Sequence, residues 1–113
     1  MDELVAEHVL RVVERIPRGR VVSYGDIAGI VGIGPRQVGA VMSRYGGGVT
    51  WWRVTNASGD LPAHLRDEAR ARWLDEGIPV RPGSGCRISA ARADLHALAS
   101  EYRCAVTDLE PTR

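Results

Sequence analysis

The sequence predicts a mostly α domain with a small β element, and three observations carry that expectation. Apolar residues near the N-terminus recur at helical spacing. Two helix-start signals then follow in close succession with a glycine turn between them. The extended stretches, around Val21-Val22 and over Val49–Val54, are short. At 113 residues the chain is long enough for one ordinary domain and too short for two. A hydrophobic fraction of 44% suffices for a globular core.

Each element has a local cause. Val5, Val9, Val12 and Ile16 fall at i, i+4, i+7 and i+11, one apolar face of a helix over about residues 3–16. Pro17-Arg18-Gly19 should break it, and Val21-Val22 allows a brief extended stretch. Ser23-Tyr24-Gly25-Asp26 has the capping-box pattern, so a short helix should run from about Tyr24 to Val31 and stop at Gly32. Pro35 suits the first position of a second helix, which should reach about Arg44. Two short helices joined by a glycine turn have the form of a helix-turn-helix. Val38, Val41, Met42 and Tyr45 make the inward face of the second. Arg36, Gly39, Ala40 and Ser43 make its outward face, with Gln37 and Arg44 along one edge. A glycine inside a helix costs about 1 kcal/mol relative to alanine, so Gly39 implies a close approach, by another helix or by nucleic acid.

Gly46-Gly47-Gly48 reads as a flexible break. Val49–Val54 and the turn Asn56–Asp60 are placed like a wing after a helix-turn-helix, which makes a winged helix-turn-helix DNA-binding domain the expected fold. Pro62–Glu76 should be a helix with Leu65, Ala69 and Trp73 inward, ended by Gly77. Ile78-Pro79-Val80 and Cys86-Arg87-Ile88 could pair as a small hairpin. A last helix, beyond the helix-turn-helix, should cover about Ala90–Arg103 and bury Leu95, Leu98 and Tyr102. One domain over residues 1–113 is the expected organisation.

Charge and composition narrow the function. The formal charge of +1 argues against an indiscriminate polyanion binder, but Arg11 to Arg53 holds seven arginines against two acids. All fifteen basic residues are arginine, which suits phosphate and base edges, but a genome-wide codon bias gives the same composition and is the preferred explanation. Cys86 and Cys104 form no CxxC, and His8, His64 and His96 have no metal-ligand spacing, so two free thiols and neither metal nor cofactor are expected. No apolar run approaches the roughly 20 residues that span a bilayer. Met1-Asp2-Glu3 is unlike a signal peptide. A soluble, cytoplasmic monomer without membrane partners is the expectation, associated with the nucleoid where it finds DNA.

Taken together, Ile16–Ala28 and Arg36–Met42 resemble the DNA-binding domain of O6-alkylguanine-DNA alkyltransferases over about residues 3–80. In that family the recognition helix is followed by the active-site run Pro-Cys-His-Arg-Val; here the run is Thr50-Trp51-Trp52-Arg53-Val54. A tryptophan at the acceptor-cysteine position marks the alkyltransferase-like proteins, which bind the lesion without removing the alkyl group. The resemblance implies that Tyr24 presses on the phosphate 3′ to the target nucleotide and rotates it outward. It makes Arg36 the finger that fills the vacated stack, and it puts Trp51 against the flipped guanine near its O6 substituent, with Trp52 beside it. The segment after Gly59 lacks the family's Gly-Tyr-rich binding loop, and His64 or Arg66 could supply a substitute pocket wall. Ser23, Pro35, Gln37, Gly39, Ala40, Ser43 and Arg44 would meet the duplex, the small residues letting the helix sit in the minor groove.

The implied partner is double-stranded DNA containing alkylated guanine, with nucleotide-excision-repair proteins recruited afterwards. Trp52 departs from the family's histidine and could enlarge the pocket or block it. Glu76-Gly77 matches the family's Glu-Gly, but the glutamate has neither cysteine nor histidine to serve and can only be structural. The physics is coherent, because a poorly pairing base is cheaper to extrude and an intercalating side chain offsets part of the unstacking cost.

Two other classes compete. A winged-helix transcriptional regulator would present Arg, Asn or Gln to major-groove edges, whereas this outward face is dominated by Gly, Ala and Ser. An active transferase would need Cys86 or Cys104 beside an activating histidine, which neither has in sequence.

Overall fold

A computed structural model describes residues 3–109. The order is α1 (Glu3–Val13), β1 (Val22–Ser23), α2 (Tyr24–Val31), α3 (Pro35–Tyr45), β2 (Val54–Thr55), α4 (Arg66–Glu76), α5 (Ile88–Ala91) and α6 (Leu95–Ala105). Single 3-10 turns occupy Gly46–Gly48, Trp51–Arg53, Ala63–Leu65 and Thr107–Leu109. The mostly helical fold with a small sheet is therefore as the sequence predicts. The sheet is one parallel pair, Val22 opposite Val54 and Ser23 opposite Thr55.

The helix-turn-helix forms for the local reasons expected. Asp26 N–H donates to Ser23 Oγ at 3.1 Å and Ser23 N–H to Asp26 Oδ2 at 2.9 Å, a complete capping box. Gly32 closes α2 in the left-handed region, φ +88°. Pro35 opens α3, and the Gln37 side chain reaches back to accept the Gly34 N–H at 2.9 Å.

Several boundaries differ from expectation. The extended stretch over Val49–Val54 is strand only at Val54, after a 3-10 turn, and the helix expected from Pro62 begins as α4 at Arg66. α1 stops at Val13 because Pro17 disfavours helical geometry in the residue before it. The amides of Arg15 and Ile16 then bond only three residues back, and Ile16 still enters the core. The triple glycine folds as a 3-10 turn in which Gly46 is buried, its Cα side against Met42 and Trp51. The proposed hairpin shrinks to one bridge, Val80 to Cys86, and Ile88 instead starts α5. The last helix is split because Val21 needs partners: its N–H donates to Ala91 O at 2.9 Å and its carbonyl accepts from Ala93 at 3.0 Å. Arg92 is extended there, and Asp94 restarts α6 by accepting the Ala97 N–H at 3.1 Å.

Two apolar cores result. The larger joins α1, α2, α3 and α6 through residues such as Val9, Val12, Ile27, Val38, Val41, Leu98 and Tyr102. The smaller joins Val21, Leu61, Ala69, Trp73, Ile78, Cys86, Ile88 and Ala91. Tyr24 packs against both. It stands on the seam.

Candidate nucleic-acid interface

The seam opens as a cavity of about 250 Å³. One wall is α3 and the turn after it, with Gly39, Met42, Ser43, Gly46 and Gly47. Tyr24 and Val54 form the floor, Trp51 faces in from its 3-10 turn, and Leu61, Pro62, His64 and Leu65 complete the rim. Most of the lining is apolar or aromatic, and the side chains that reach it include no cysteine.

Of the predicted residues, the fold brings Tyr24, Gly39, Ser43, Trp51 and His64 into this cavity. Tyr24 is half-buried at the first position of α2, and burial pushes its phenol above the ordinary tyrosine value. Its hydroxyl has no hydrogen-bond partner among the described residues. Pro35, Arg36, Gln37, Ala40 and Arg44 are exposed on α3 outside the cavity. Arg36 carries no ion pair or hydrogen bond among the described residues, whereas Arg44 lies over the Tyr45 ring at 5.6 Å. A Cβ added to Gly39 would meet nothing within 4 Å. No other helix of the described chain packs there, so intramolecular packing does not explain this glycine.

Two expected residues lie elsewhere. Ser23 is buried, 6% exposed, and its oxygen caps α2, so it shapes the interface from beneath rather than lining it. Trp52 neither lines nor blocks the cavity. Its indole Nε1 donates to Glu76 Oε2 at 2.7 Å, with the Arg72 guanidinium 4.6 Å above its ring. Trp51 and Trp52 meet edge-on, centroids 5.7 Å apart at 86°. Leu61 and Pro62 are rim residues that no local sequence signal marks, because their approach to α3 is tertiary; Leu65, expected on an inward helix face, joins them there.

Thr50, where the alkyltransferase motif has proline, adopts φ −77° and ψ 63°. Trp51 N–H accordingly donates to Val49 O at 2.8 Å, the two-residue span of an inverse γ-turn. That bend aims Trp51 back at α3.

Behind the Trp51–Arg53 turn, Glu76 is 2% exposed in its side chain. Its carboxylate accepts from Gly19 N–H at 2.9 Å, Trp52 Nε1 at 2.7 Å and Arg53 Nη2 at 2.8 Å. Arg53 also donates to Ile16 O at 2.9 Å, so it braces the turn and does not face the cavity. Burial alone pushes the Glu76 carboxyl up; Arg53, the Gly19 amide and Trp52 outweigh it and hold the group below the ordinary glutamate range. Its contribution to stability is thus complete above the unfolded value, about 4.3, and lost as pH falls through the lower folded value. Urea unfolding of wild type and Glu76→Gln, followed down through the carboxylate range, should show stability differences that shrink with acid. Parallel curves would contradict this. Asp60 and Asp108, also held low, titrate in both proteins and cancel in the difference.

Residues 5–77 match the family model described as the DNA-binding domain of 6-O-methylguanine DNA methyltransferase. The chain is 40% identical over 90 residues to the DNA base-flipping protein of Escherichia coli (strain K12), covering 74% of this chain and 69% of that one. It is 33% identical over 86 residues to the DNA base-flipping protein of Vibrio parahaemolyticus serotype O3:K6 (strain AQ3810), covering 71% and 85%. The fold is similar to S. pombe Atl1 in complex with damaged DNA containing O6-carboxymethylguanine, with TM-score 0.73, 25% identity, and 83% of this chain and 98% of that one covered. It is also similar to an S. pombe ATL–DNA complex, with TM-score 0.66, 29% identity, and 83% and 97% covered. Match length, identity and fold agree, and the chain belongs to the family of the 6-O-methylguanine DNA methyltransferase DNA-binding domain.

Proposed function

We propose that this protein recognises O6-alkylguanine in duplex DNA by flipping the nucleotide from the minor groove, without removing the alkyl group. The observation that carries the reading is Trp51, standing at the acceptor position of the motif and facing a cavity shared with Tyr24. The relatives are named for base flipping, and the structural neighbours hold DNA, one of them O6-carboxymethylguanine DNA.

The chemistry supports each role. Tyr24 stays a neutral phenol, so it can press on a phosphate and donate a hydrogen bond without charge repulsion. Arg36, exposed and unpaired among the described residues, gives up no internal contact on entering the stack. A base rotated past Tyr24 would meet the apolar lining between Trp51 and Leu65, with His64 at the rim.

Transfer chemistry lacks its nucleophile. Cys86 is 1% exposed, and burial pushes its thiol up to about 11, so thiolate is scarce at neutral pH. Cys104 is exposed on α6, outside the cavity. A bound but unrepaired lesion is a mark, which fits hand-over to excision-repair proteins.

Matched duplexes with O6-methylguanine or guanine at one position, titrated in one buffer, test the reading. The modified duplex should bind tighter, and added salt should weaken both together as counterion release requires. Equal affinities would remove the proposal, and a methyl adduct on the intact protein by mass spectrometry would make it a repair enzyme instead.

Gly39 offers a test in which stability and binding move oppositely. Gly39→Ala meets open space and should stabilise the fold by up to about 1 kcal/mol through helix propensity. The same methyl would stand between α3 and the groove, so affinity for both duplexes should drop. Thermal unfolding and titration of one preparation read the two effects.

A further inference from the structure

We infer that Glu76 is the positioning residue of the lesion cavity, fixing Trp51 through Trp52 and Arg53; the inference rests on the lesion-binding reading above. Three segments that build the cavity converge on this one carboxylate. The loop before β1, which leads to Tyr24, gives the Gly19 N–H at 2.9 Å. The turn carrying Trp51 gives Trp52 Nε1 at 2.7 Å and the Arg53 guanidinium at 2.8, 3.0 and 3.2 Å. Glu76 itself ends α4, whose other end runs directly from His64 and Leu65 on the rim.

The Trp51–Arg53 turn needs such an anchor. Its own backbone supplies two 3-10 bonds, Arg53 N–H to Thr50 O at 3.0 Å and Val54 N–H to Trp51 O, and the γ-turn bond before them. Single 3-10 turns hold their geometry weakly. The side chains do the fixing. Trp52 is pinned at its indole N–H by Glu76 and at its carbonyl by Trp73 Nε1, 2.7 Å away, so its ring cannot swing toward the cavity. Trp51 leans edge-on against that immobilised ring. A wall held in its bound geometry before DNA arrives loses less ordering entropy on binding, and discrimination gains from what is saved. Glu76 touches no DNA in this scheme.

The test uses the full chain, with Glu76→Gln and Trp52→Phe. Trp52→Phe removes one donor, keeps an aromatic ring and leaves Arg53 paired, so it remains informative if Glu76→Gln leaves Arg53 buried without its counter-charge and fails to fold. The first readout is the ratio of affinities for the O6-methylguanine and guanine duplexes, measured where circular dichroism shows each variant folded. That ratio should fall about tenfold in Glu76→Gln, the size expected from losing a charged hydrogen bond, and by part of that in Trp52→Phe. General loosening would instead weaken both duplexes together and leave the ratio intact.

The second readout needs no DNA. The chain has three tryptophans, and the Trp51 indole resonances of the free protein should shift in Glu76→Gln, the variant that keeps the Trp52 ring beside it. Folded variants with the wild-type ratio, and unmoved Trp51 resonances in Glu76→Gln, would overturn the inference. A wild type without lesion preference would sink the function proposed above, while the Trp51 resonances would still decide whether Glu76 positions that wall.

Discussion

Arg36→Ala should abolish most of the preference for alkylated over unmodified duplex while leaving the fold intact. Arg36 is exposed on the first turn of α3 and holds nothing within the described chain, so its removal costs no internal contact. If it fills the gap left by a flipped nucleotide, the loss should match that of a hot-spot arginine, about 2 kcal/mol or roughly thirtyfold in affinity for the modified duplex. The unmodified duplex, bound mainly through phosphates, should lose much less.

A suitable control is Arg103→Ala, exposed near the end of α6 and distant from the cavity lining. Arg92 would be a poor control, because its guanidinium grips Asp26 at 2.8 Å beside the start of α2. Equal weakening by Arg36→Ala and Arg103→Ala would reduce the arginines to diffuse charge. Fluorescence of 2-aminopurine at the target position gives an independent reading. Its rise on wild-type binding should be lost with Tyr24→Ala, since the base then stays stacked.

Trp73→Ala should carry the largest stability loss of any single change considered. The ring is 1% exposed in the smaller core, and its indole N–H satisfies the Trp52 carbonyl at 2.7 Å. Emptying such a site costs about 3–5 kcal/mol, and orphaning the carbonyl adds about 1 kcal/mol or more. Against a total of about 5–15 kcal/mol for a domain of this kind, that is about a quarter of the stability or more, and Tm should drop by roughly 15–25 °C. Trp73→Phe, which keeps most of the volume and loses the hydrogen bond, should cost well under half as much. A loss below about 1 kcal/mol for Trp73→Ala would mean that this core does not support the fold. Urea melts of the three proteins settle the comparison.

What the sequence revealed and what it concealed divide along the range of the interactions. The helix-turn-helix was legible because its signals are local: Ser23 and Asp26 cap each other three residues apart, Gly32 must turn left-handed, and Pro35 sits where its missing amide is harmless. The break at Arg92 was not. The helix expected over about Ala90–Arg103, with Leu95, Leu98 and Tyr102 inward, carried no break signal at Arg92, and only the unpaired backbone of Val21, far back in the chain, required an extended residue there. Asp94 was the one local hint, as a helix-capping type just before Leu95.

The site divides in the same way. The family motif brought out Tyr24, Gly39, Ser43 and Trp51, which do share a cavity, and His64 reached its rim as well. Trp52 reads as Trp51's twin in sequence, yet consecutive residues of a tight turn point differently. The orientation depended on Glu76, twenty-four residues on. Rim residues Leu61 and Pro62 had only unremarkable apolar character to announce them, and Leu65 only its place on an inward helix face.

The bridge between Val21 and the Ala91–Ala93 strand-like segment also bears on how the molecule is made. The family match ends at residue 77, but Val21, which leads into β1 and Tyr24, takes its backbone partners Ala91 and Ala93 from beyond that point, while Val22 and Ser23 pair with β2. On the ribosome, the helix-turn-helix can assemble early from neighbouring residues, since short loops close fast. The seam on which Tyr24 stands cannot be finished until α5 has emerged and closed a long loop, a slower step of higher contact order. Competence for DNA should therefore arrive last, after the reading helices have formed. A nascent chain stalled before α5 would have its recognition helix formed, with the larger core still short of α6 and no settled pocket behind it.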